Sequence, residues 1–582
     1  MMPYLLSLIV FLPVPAILLL LLIPQAKRSW YKYVTAVTTF FQMVFSVILY
    51  LQFEGVAGAA EGAVTHLQLL EVADWINLKL GSWGNLSIEY FLGVDGLNIA
   101  MILLSGIILF IGAISSFRID KNHRAYHSLY LLLSTTIFGC FLSLDLFLFF
   151  IFFEFMLLPM YFLIGIWGGP RREYASIKFF IYTLFGSVFI LLVIIGLYFS
   201  VIDPVKTAVN IGLSDAQEKV TADMVLEVQQ RLGVGELDDV YLVHTFNLTY
   251  MTDVNNYLPG SVFHYAAGWT LFGVDARLIA FLALFIGFAI KLPVVPFHTW
   301  LPDAHVEAPT PVSVILAGVL LKIGGYGLMR IAYPVFPEGG VYFSYLIGLL
   351  GVVSIIYGAF NALAMKDLKK MIAYSSVSHM GFVLLGLASL TVEGVNGSIY
   401  QMFSHGLLSG LLFLIAGVLY DRTHDRIIEN YRGLASKMPV YVTVTTVAFF
   451  ASFGLPGFSG FIAEMLVLLG AFNATSINEL LPRWMAIAAT IGILLGAVYF
   501  LWTLQKMFFG RFWVKPGVEW EEGLMDLTAR EKSMMLPLAI LAITFGLFPS
   551  LLLDKIAFDM SSYVEAIINS GKANLALLLK NG

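Results

Sequence analysis

Cysteine is nearly absent from this chain: Cys140 stands alone among 582 residues. One thiol cannot build a disulfide framework, and it excludes iron–sulfur clusters, which need several thiolates. Charge is the second scarcity. Asp, Glu, Lys and Arg make up 12% of the chain while 59% is hydrophobic, whereas soluble domains carry about 25% charged residues. No GxGxxG or Walker-type phosphate loop occurs, so the sequence offers no nucleotide site. The net charge of −5 is spread over many loops and presents no basic surface for nucleic acid. Alternating ten-residue segments are missing too, which argues against a membrane β-barrel.

What the chain has in abundance is long apolar runs. They recur from end to end and predict an all-α polytopic membrane protein with about fourteen transmembrane helices, the third expected over 91–117 and the fourteenth over 533–554. The first run, Pro3 to Pro24, has no basic segment before it and is too long for a signal peptide, so it is expected to be the first spanning helix. Lys27, Arg28 and Lys32 follow span one; Arg118, Lys121 and Arg124 follow span three; Arg171 and Arg172 follow span five. Lys366, Lys369 and Lys370 follow span nine, Arg422 and Arg426 follow span eleven, and Lys506, Arg511 and Lys515 follow span thirteen. All these loops fall on one side and the alternate loops are poor in Lys and Arg, so the positive-inside rule places both termini on the outer side. The polar stretch 202–270 is acidic, with Asp215, Glu218, Asp223, Glu227, Glu236, Asp238 and Asp239. It suits the outer face, either as a surface elaboration or as a docking element. Residues 216–232 are expected to form a short amphipathic helix, and 237–270 to be strand-like or irregular.

Two spans are interrupted. Span seven carries Lys291–Leu292–Pro293–Val294–Val295–Pro296, and its prolines remove backbone donors in mid-span. Span twelve carries Phe453–Gly454–Leu455–Pro456–Gly457–Phe458. Open backbone at membrane depth is tolerated only where protein buries it or where it lines a wet cavity. The interruptions lie five spans apart, and five crossings reverse direction. Helices 4–8 and 9–13 are therefore expected to form two inverted five-helix repeats with broken helices 7 and 12, and a transport site near the midplane. The expected organisation is N-terminal helices 1–3 in residues 1–125, the first repeat with its outer loop in 126–335, the second repeat in 336–510, and an inner-face segment with helix 14 in 511–582.

Six ionisable residues lie deep in these spans: Glu154, Lys291, Lys322, His379, His405 and Glu464. A lysine at bilayer depth costs roughly 2.5–3.5 kcal/mol even on the lenient insertion scale, so alternating acids and bases on successive helices read as a route for protons or ions. Glu154 lies about 13 Å beyond Asp145 at ~1.5 Å per residue; beside Lys291 it ionises, either as a working pair or as a structural one. Lys322 is flanked by glycines that permit close helix approach. His379 and His405, on adjacent opposed spans, suit a relay, simple buried hydrogen bonding or the axial positions of a haem. Glu464 follows the second break and suits the far end of the route, or a structural pair with a neighbouring chain. His298, Asp303, His305 and Glu307 gather at the inner end of span seven. Their spacing is not that of a zinc helix, and helix capping and water admission are the roles expected.

The run from Lys291 through Pro293, Pro296, His298, Trp300, Asp303, His305 and Glu307 to Pro311 resembles the central motif of the antiporter-like membrane subunits of respiratory complex I. Lys322 to Arg330, Lys366 to Gly381, Phe403 to Gly406, and Gly454 to Gly457 with Glu464 continue the likeness over almost the whole chain. Glutamate at 464, where some relatives carry lysine, brings the chain nearest to the M-type (chain 4) branch of proton-pumping NADH:quinone oxidoreductase. The long loop 202–270 departs from the usual pattern. The resemblance implies a proton-translocating subunit of an inner-membrane translocase. Glu154 and Lys291 would couple the first half-channel, Lys322 would be the central relay, and His379 and His405 would lead to Glu464. It implies that no cofactor is bound by this chain, with NADH, flavin, iron–sulfur clusters and quinone held by partner subunits alongside sibling antiporter-like chains. A multi-chain cation/proton antiporter and a membrane-bound hydrogenase share much of the motif and remain open.

Overall fold

The computed structural model describes residues 4–55, 65–79, 85–518 and 525–581. Pro3 of the first expected span and residues 519–524 and 582 of the last expected unit lie outside the described residues. The architecture is helical, as the apolar runs require. Among the described residues twelve helices are long and apolar enough to cross a membrane, or thirteen with one bent pair counted as a span. In order they begin with α1 (Leu5–Leu22), α2 (Ser29–Gln52), α3 (Ile99–Arg118), α4 (His123–Leu142), α5 (Leu146–Trp167) and α6 (Arg172–Tyr198). Between α6 and the next long helix lie two shorter ones, α7 (Ala276–Lys291) and α8 (Trp300–Glu307), separated by the proline-bearing segment 292–299. Then come α9 (Thr310–Val335), α10 (Ser344–Ala364), α11 (Leu368–Ser389) and α12 (Val392–Thr423). The shorter apolar helix α13 (Pro439–Ser452) follows, and a break over 453–458 separates it from α14 (Ser459–Ile477). Finally come α15 (Arg483–Phe508), α16 (Ala529–Leu547) and α17 (Ser550–Asn581).

Both expected interruptions are present. Proline lacks the amide proton and its ring clashes with the preceding turn, so α7 stops at Lys291 before Pro293 and Pro296. In the second break Gly454 and Gly457 take φ of +76° and +96°, a region open to glycine because it has no Cβ. Side-chain caps mark where other helices start. Asp145 accepts from the Leu148 amide at 2.9 Å, Asp367 accepts from Lys369 and Lys370, and Thr528 and Glu531 form a capping box.

Two expectations are corrected. Span three was expected to begin at residue 91, but Asn85–Val94 is strand β2, paired antiparallel with β1 (Gln68–Lys79). The run Phe91–Leu92–Gly93–Val94 is apolar enough to pass for a helix start, but it is buried as part of a sheet. Span fourteen was expected over 533–554, but the helix ends at Leu547, turns by 62° and continues as α17. Pro549 supplies the turn, since the residue before a proline is disfavoured in the helical region.

The two ends of the bundle differ. At one end lie β1, β2, the loop 202–270 and α17. Strand β3 (Val243–Thr245) of that loop adds in parallel to β2, and the amides of Leu6 and Ser7 bond to Glu71 at 2.8 and 2.9 Å. Asp559 of α17 accepts from the Gly96 amide at 2.6 Å. The loop holds the helix Ala222–Gly233 and a small ribbon, β4 (Thr270–Leu271) with β5 (Val274–Asp275). Its own apolar cluster is Ile202, Ala208, Val228, Leu232 and Leu242. At the other end the basic loops are tied to one another. Arg118 pairs with Asp421 at 2.7 Å, Arg422 with Glu531 at 2.7 Å, Arg426 with Asp367 at 3.3 Å, and Trp167 Nε1 donates to Lys121 O at 2.6 Å. A second ribbon joins this end, β6 (Tyr431–Arg432) with β7 (Trp513–Val514).

Candidate functional site

Lys322 lies in the middle of α9, every residue of whose spanning window is buried. Two π-helical turns, Leu316–Leu320 and Leu328–Ala332, flank it. Such turns break the regular carbonyl ladder, and Ala317 O, within the first of them, accepts a hydrogen bond from Lys322 Nζ. Gly324 lets α9 approach the broken α7: a Cβ there would meet Leu292 N and Phe288 O at 2.7 Å. Lys322 Nζ lies 2.7 Å from His405 Nδ1 on α12. An ammonium only donates, so with Lys322 charged His405 Nδ1 accepts and carries its proton on Nε2.

From His405 the chain of polar groups continues. The His405 and His379 rings lie 5.4 Å apart, tilted by 51°. His379 Nδ1 is 3.2 Å from Gln401 Nε2 and 3.4 Å from Glu464 Oε1. Glu464 is buried and, among the described residues, its Oε2 has no hydrogen-bond partner. Backbone from the second break closes over that carboxylate, for a Cβ on Gly454 would sit 2.4 Å from Oε2. Between these groups is a cavity of about 10 Å³ lined by Ser375, His379, Gln401, Ser404, His405 and Glu464 among others. It has room for about one water and none for a porphyrin, which removes the haem reading of the two histidines.

Four of the six candidates therefore stand in line: Lys322, His405, His379, Glu464. The other two form no direct ion pair among the described residues, although each lies within reach of the other's charge. Glu154 is half-buried on α5 with Oε1 unpartnered. Lys291 Nζ sits 3.6 Å from the centre of the Phe153 ring and 3.4 Å from Phe153 O, and among the described residues it forms no ion pair. The ring face stabilises the ammonium by cation–π attraction.

The four polar residues of α8 and the turn before it also diverge. Asp303 pairs with Lys178 at 2.8 Å, and Glu307 accepts from the Arg171 amide at 2.9 Å. His305 stacks on Phe413 at 4.4 Å with both ring nitrogens unpartnered, and His298 faces Tyr357. Among the described residues they do not gather into a group of three or more metal-ligating side chains. Beyond them a cavity of about 260 Å³ opens at the basic end, lined by Arg118, Glu307, Lys369, Asp421, Arg426 and Arg530 among others. Lys369, buried at its edge, donates to Ala308 O at 2.9 Å.

Sequence reasoning missed Gln401 and the serines of the small cavity. Gln401 precedes His405 by four residues on one helix, the spacing that puts two side chains on the same face, and that signal was available. Nothing in their local sequence singles out the serines.

Comparison with known proteins places this geometry in a family. The family model described as "NADH:quinone oxidoreductase/Mrp antiporter, TM" matches residues 143–205 and 211–496. The NADH-quinone oxidoreductase subunit M of Rhodobacter capsulatus is 36% identical over 569 residues, covering 97% of each chain. A chain of respiratory complex I from Thermus thermophilus superposes with a TM-score of 0.71 at 28% identity, covering 97% of this chain and 99% of that one. A chain of the Mrp complex from Dietzia sp. DQ12-45-1b shares the fold with a TM-score of 0.69 at 19% identity, covering 97% and 99%. The breaks, the buried lysines and these near full-length likenesses agree: the chain belongs to the NADH:quinone oxidoreductase/Mrp antiporter transmembrane family.

Proposed function

We propose that this chain is the M-type, proton-translocating membrane subunit of an NADH:quinone oxidoreductase. It works as part of a translocase whose NADH, flavin, iron–sulfur and quinone sites belong to partner subunits. The observation that carries the reading is the continuous file Lys322–His405–His379–Glu464, set against a helix break and buried except at the half-buried His379. Near full-length likeness to subunit M relatives supports the assignment over the cation/proton antiporter, where the likeness is one of fold alone. Redox partners that copurify with the chain distinguish the two.

The proposed relay is electrostatic. A change of charge at Glu154 alters the field at Lys291, and Lys291 alters the field at Lys322. At an effective dielectric near 20, unit charges ~7 Å apart interact by roughly 2.4 kcal/mol, a change of about 50-fold in proton affinity. Lys322 then releases its proton to His405 Nδ1, and His405 gives up a proton from Nε2 toward His379. His379 hands one to Glu464, with the cavity between them admitting a bridging water. The vestibule at the basic end supplies water from the inner side. The wider frame is part of the same proposal. It comprises fourteen crossings, repeats 126–335 and 336–510 related by a two-fold axis in the membrane plane, N-terminal helices in 1–125, a closing unit in 511–582, and both termini outside a bacterial plasma membrane.

The test is reconstitution of the whole complex in liposomes with Lys322→Ala or Glu464→Gln in this chain. Proton uptake and coupled NADH:quinone turnover should fall together while native gels show an assembled complex. A Lys322→Ala complex that pumps at the wild-type rate and proton-to-electron ratio would rule the relay out.

A further inference from the structure

At the basic end α15 finishes in a π-helical turn, Leu504–Phe508, and the chain swings at Gly510 (φ +94°) into β7. Gly433 (φ +65°) lets β6 come in close: a Cβ there would meet Gly510 O and Phe512 N at 2.6 Å. Its amide donates to Phe509 O at 3.2 Å. The register sets Arg432 opposite Trp513, and the guanidinium lies 5.7 Å from the ring centre. Lys506, one turn back on α15, lies 4.4 Å from the Trp502 ring. With Arg511 and Phe509 these side chains line an open groove of about 680 Å³.

Two features of the groove identify its occupant. The first is uncompensated charge. Among the described residues neither Arg432 nor Arg511 has a carboxylate partner, and Lys506 reaches only Glu429, at 3.3 Å. Guanidinium groups bind phosphate oxygens through two parallel hydrogen bonds. The second is exposed aromatic surface beside that charge: Trp502 is 38% exposed, Trp513 42% and Phe509 46%. The groove sits where a spanning helix leaves the bilayer, the depth at which tryptophan rings settle among headgroups. A free phosphate ion has no use for the rings, whereas a phospholipid uses both parts.

We propose that this groove binds the headgroup of an anionic phospholipid in the leaflet facing the basic loops. Arg432, Arg511 and Lys506 hold the phosphate, and Trp502, Trp513 and Phe509 lie against the glycerol and the first methylenes.

The test uses the assembled complex in phosphatidylcholine nanodiscs doped with a photoactivatable lipid. A phosphatidylglycerol probe should label the segment 502–513 far more than a phosphatidylcholine probe. Each basic side chain near an anionic surface contributes about fivefold, so Arg432→Gln with Arg511→Gln should lower that labelling roughly 25-fold while NADH:quinone turnover stays at the wild-type level. Equal labelling by both probes, or labelling unchanged in the double variant, overturns the proposal. So does a cross-link from the segment to a partner subunit, or displacement of the probe by inorganic phosphate. Should the double variant not assemble, competition on the wild-type complex decides. Displacement by unlabelled phosphatidylglycerol and not by phosphatidylcholine supports the site, and equal displacement refutes it.

Discussion

Glu464 shows how much a single backbone position controls at the residue scale. Among the described residues its Oε2 has no partner, and the space above it exists only because residue 454 lacks a side chain. An alanine at 454 or at 457 bears a similar backbone cost, since both positions have positive φ, of roughly 1–2 kcal/mol for an L-residue. Only the 454 methyl also collides with the carboxylate, because a Cβ at 457 would meet nothing closer than Leu547 at 4.0 Å. Gly454→Ala should therefore reduce proton pumping by the assembled complex several-fold, and Gly457→Ala should leave most of it. Equal losses would mean that the break, and not the placement of Glu464, governs the rate. Glu154 makes a different test. It is not locked to Lys291, so charge and not contact is what the relay needs from it. Glu154→Asp should keep much of the coupled NADH:quinone turnover and Glu154→Gln should lose most of it, read on the same membranes.

At the scale of elements, the sequence revealed the two broken helices because proline and glycine act locally, and the structure has them at Lys291 and Ser452. It did not reveal the hairpin β1–β2, whose last residues are as apolar as a helix start, or the bend at Pro549 that frees α17 to lie along the end of the bundle. Nor did it show how tightly the acidic loop is fastened. Lys206 Nζ reaches Asp74 at 2.7 Å, Ser87 at 2.7 Å and Glu89 at 2.6 Å, tying the loop to both strands of the hairpin. Asp203 and Asp145 lie beside this knot. Burial pushes Asp203 up to about 6 and Asp145 up to about 7, partly offset by the amides they cap and, for Asp203, by Lys206. A carboxyl whose folded value exceeds its unfolded value holds more protons in the folded state, so its contribution to stability falls as pH rises between the two. The two carboxyls should consequently protect the loop more at pH 5 than at pH 7.5, outweighing the opposite slope of His244, whose imidazole is held below its ordinary value by burial. Lys206 is shifted upward by its carboxylate partners against the opposing effect of burial, so it stays charged throughout this window and adds no slope. Hydrogen exchange of 202–258 in the intact complex checks this, and slower exchange at pH 7.5 than at pH 5, after correction for the intrinsic rate, would contradict it.

At the scale of the molecule, the order of the helices and the side on which each loop falls were legible because lysine and arginine mark one end. The relay was legible as a set of residues but not as a path, since the proximity of Lys322, His405, His379 and Glu464 depends on how α9, α11, α12 and α14 pack. That Lys291 rests on Phe153 and not on Glu154 was beyond reach for the same reason. The two ends of the bundle yield a topology that can be measured directly. The hairpin, the loop 202–270 and α17 share one end, and the tied basic loops share the other. Cys140 is fully buried, so the native chain should be silent to an impermeant thiol reagent. Single cysteines at Asn255 and at Lys366 then report the two ends. In intact cells Asn255→Cys should be labelled and Lys366→Cys should not, and breaking the membrane should make Lys366→Cys reactive, each read on the corresponding peptide by mass spectrometry. Labelling of Lys366→Cys in intact cells would turn the molecule over and put the water-supplying vestibule on the outer side.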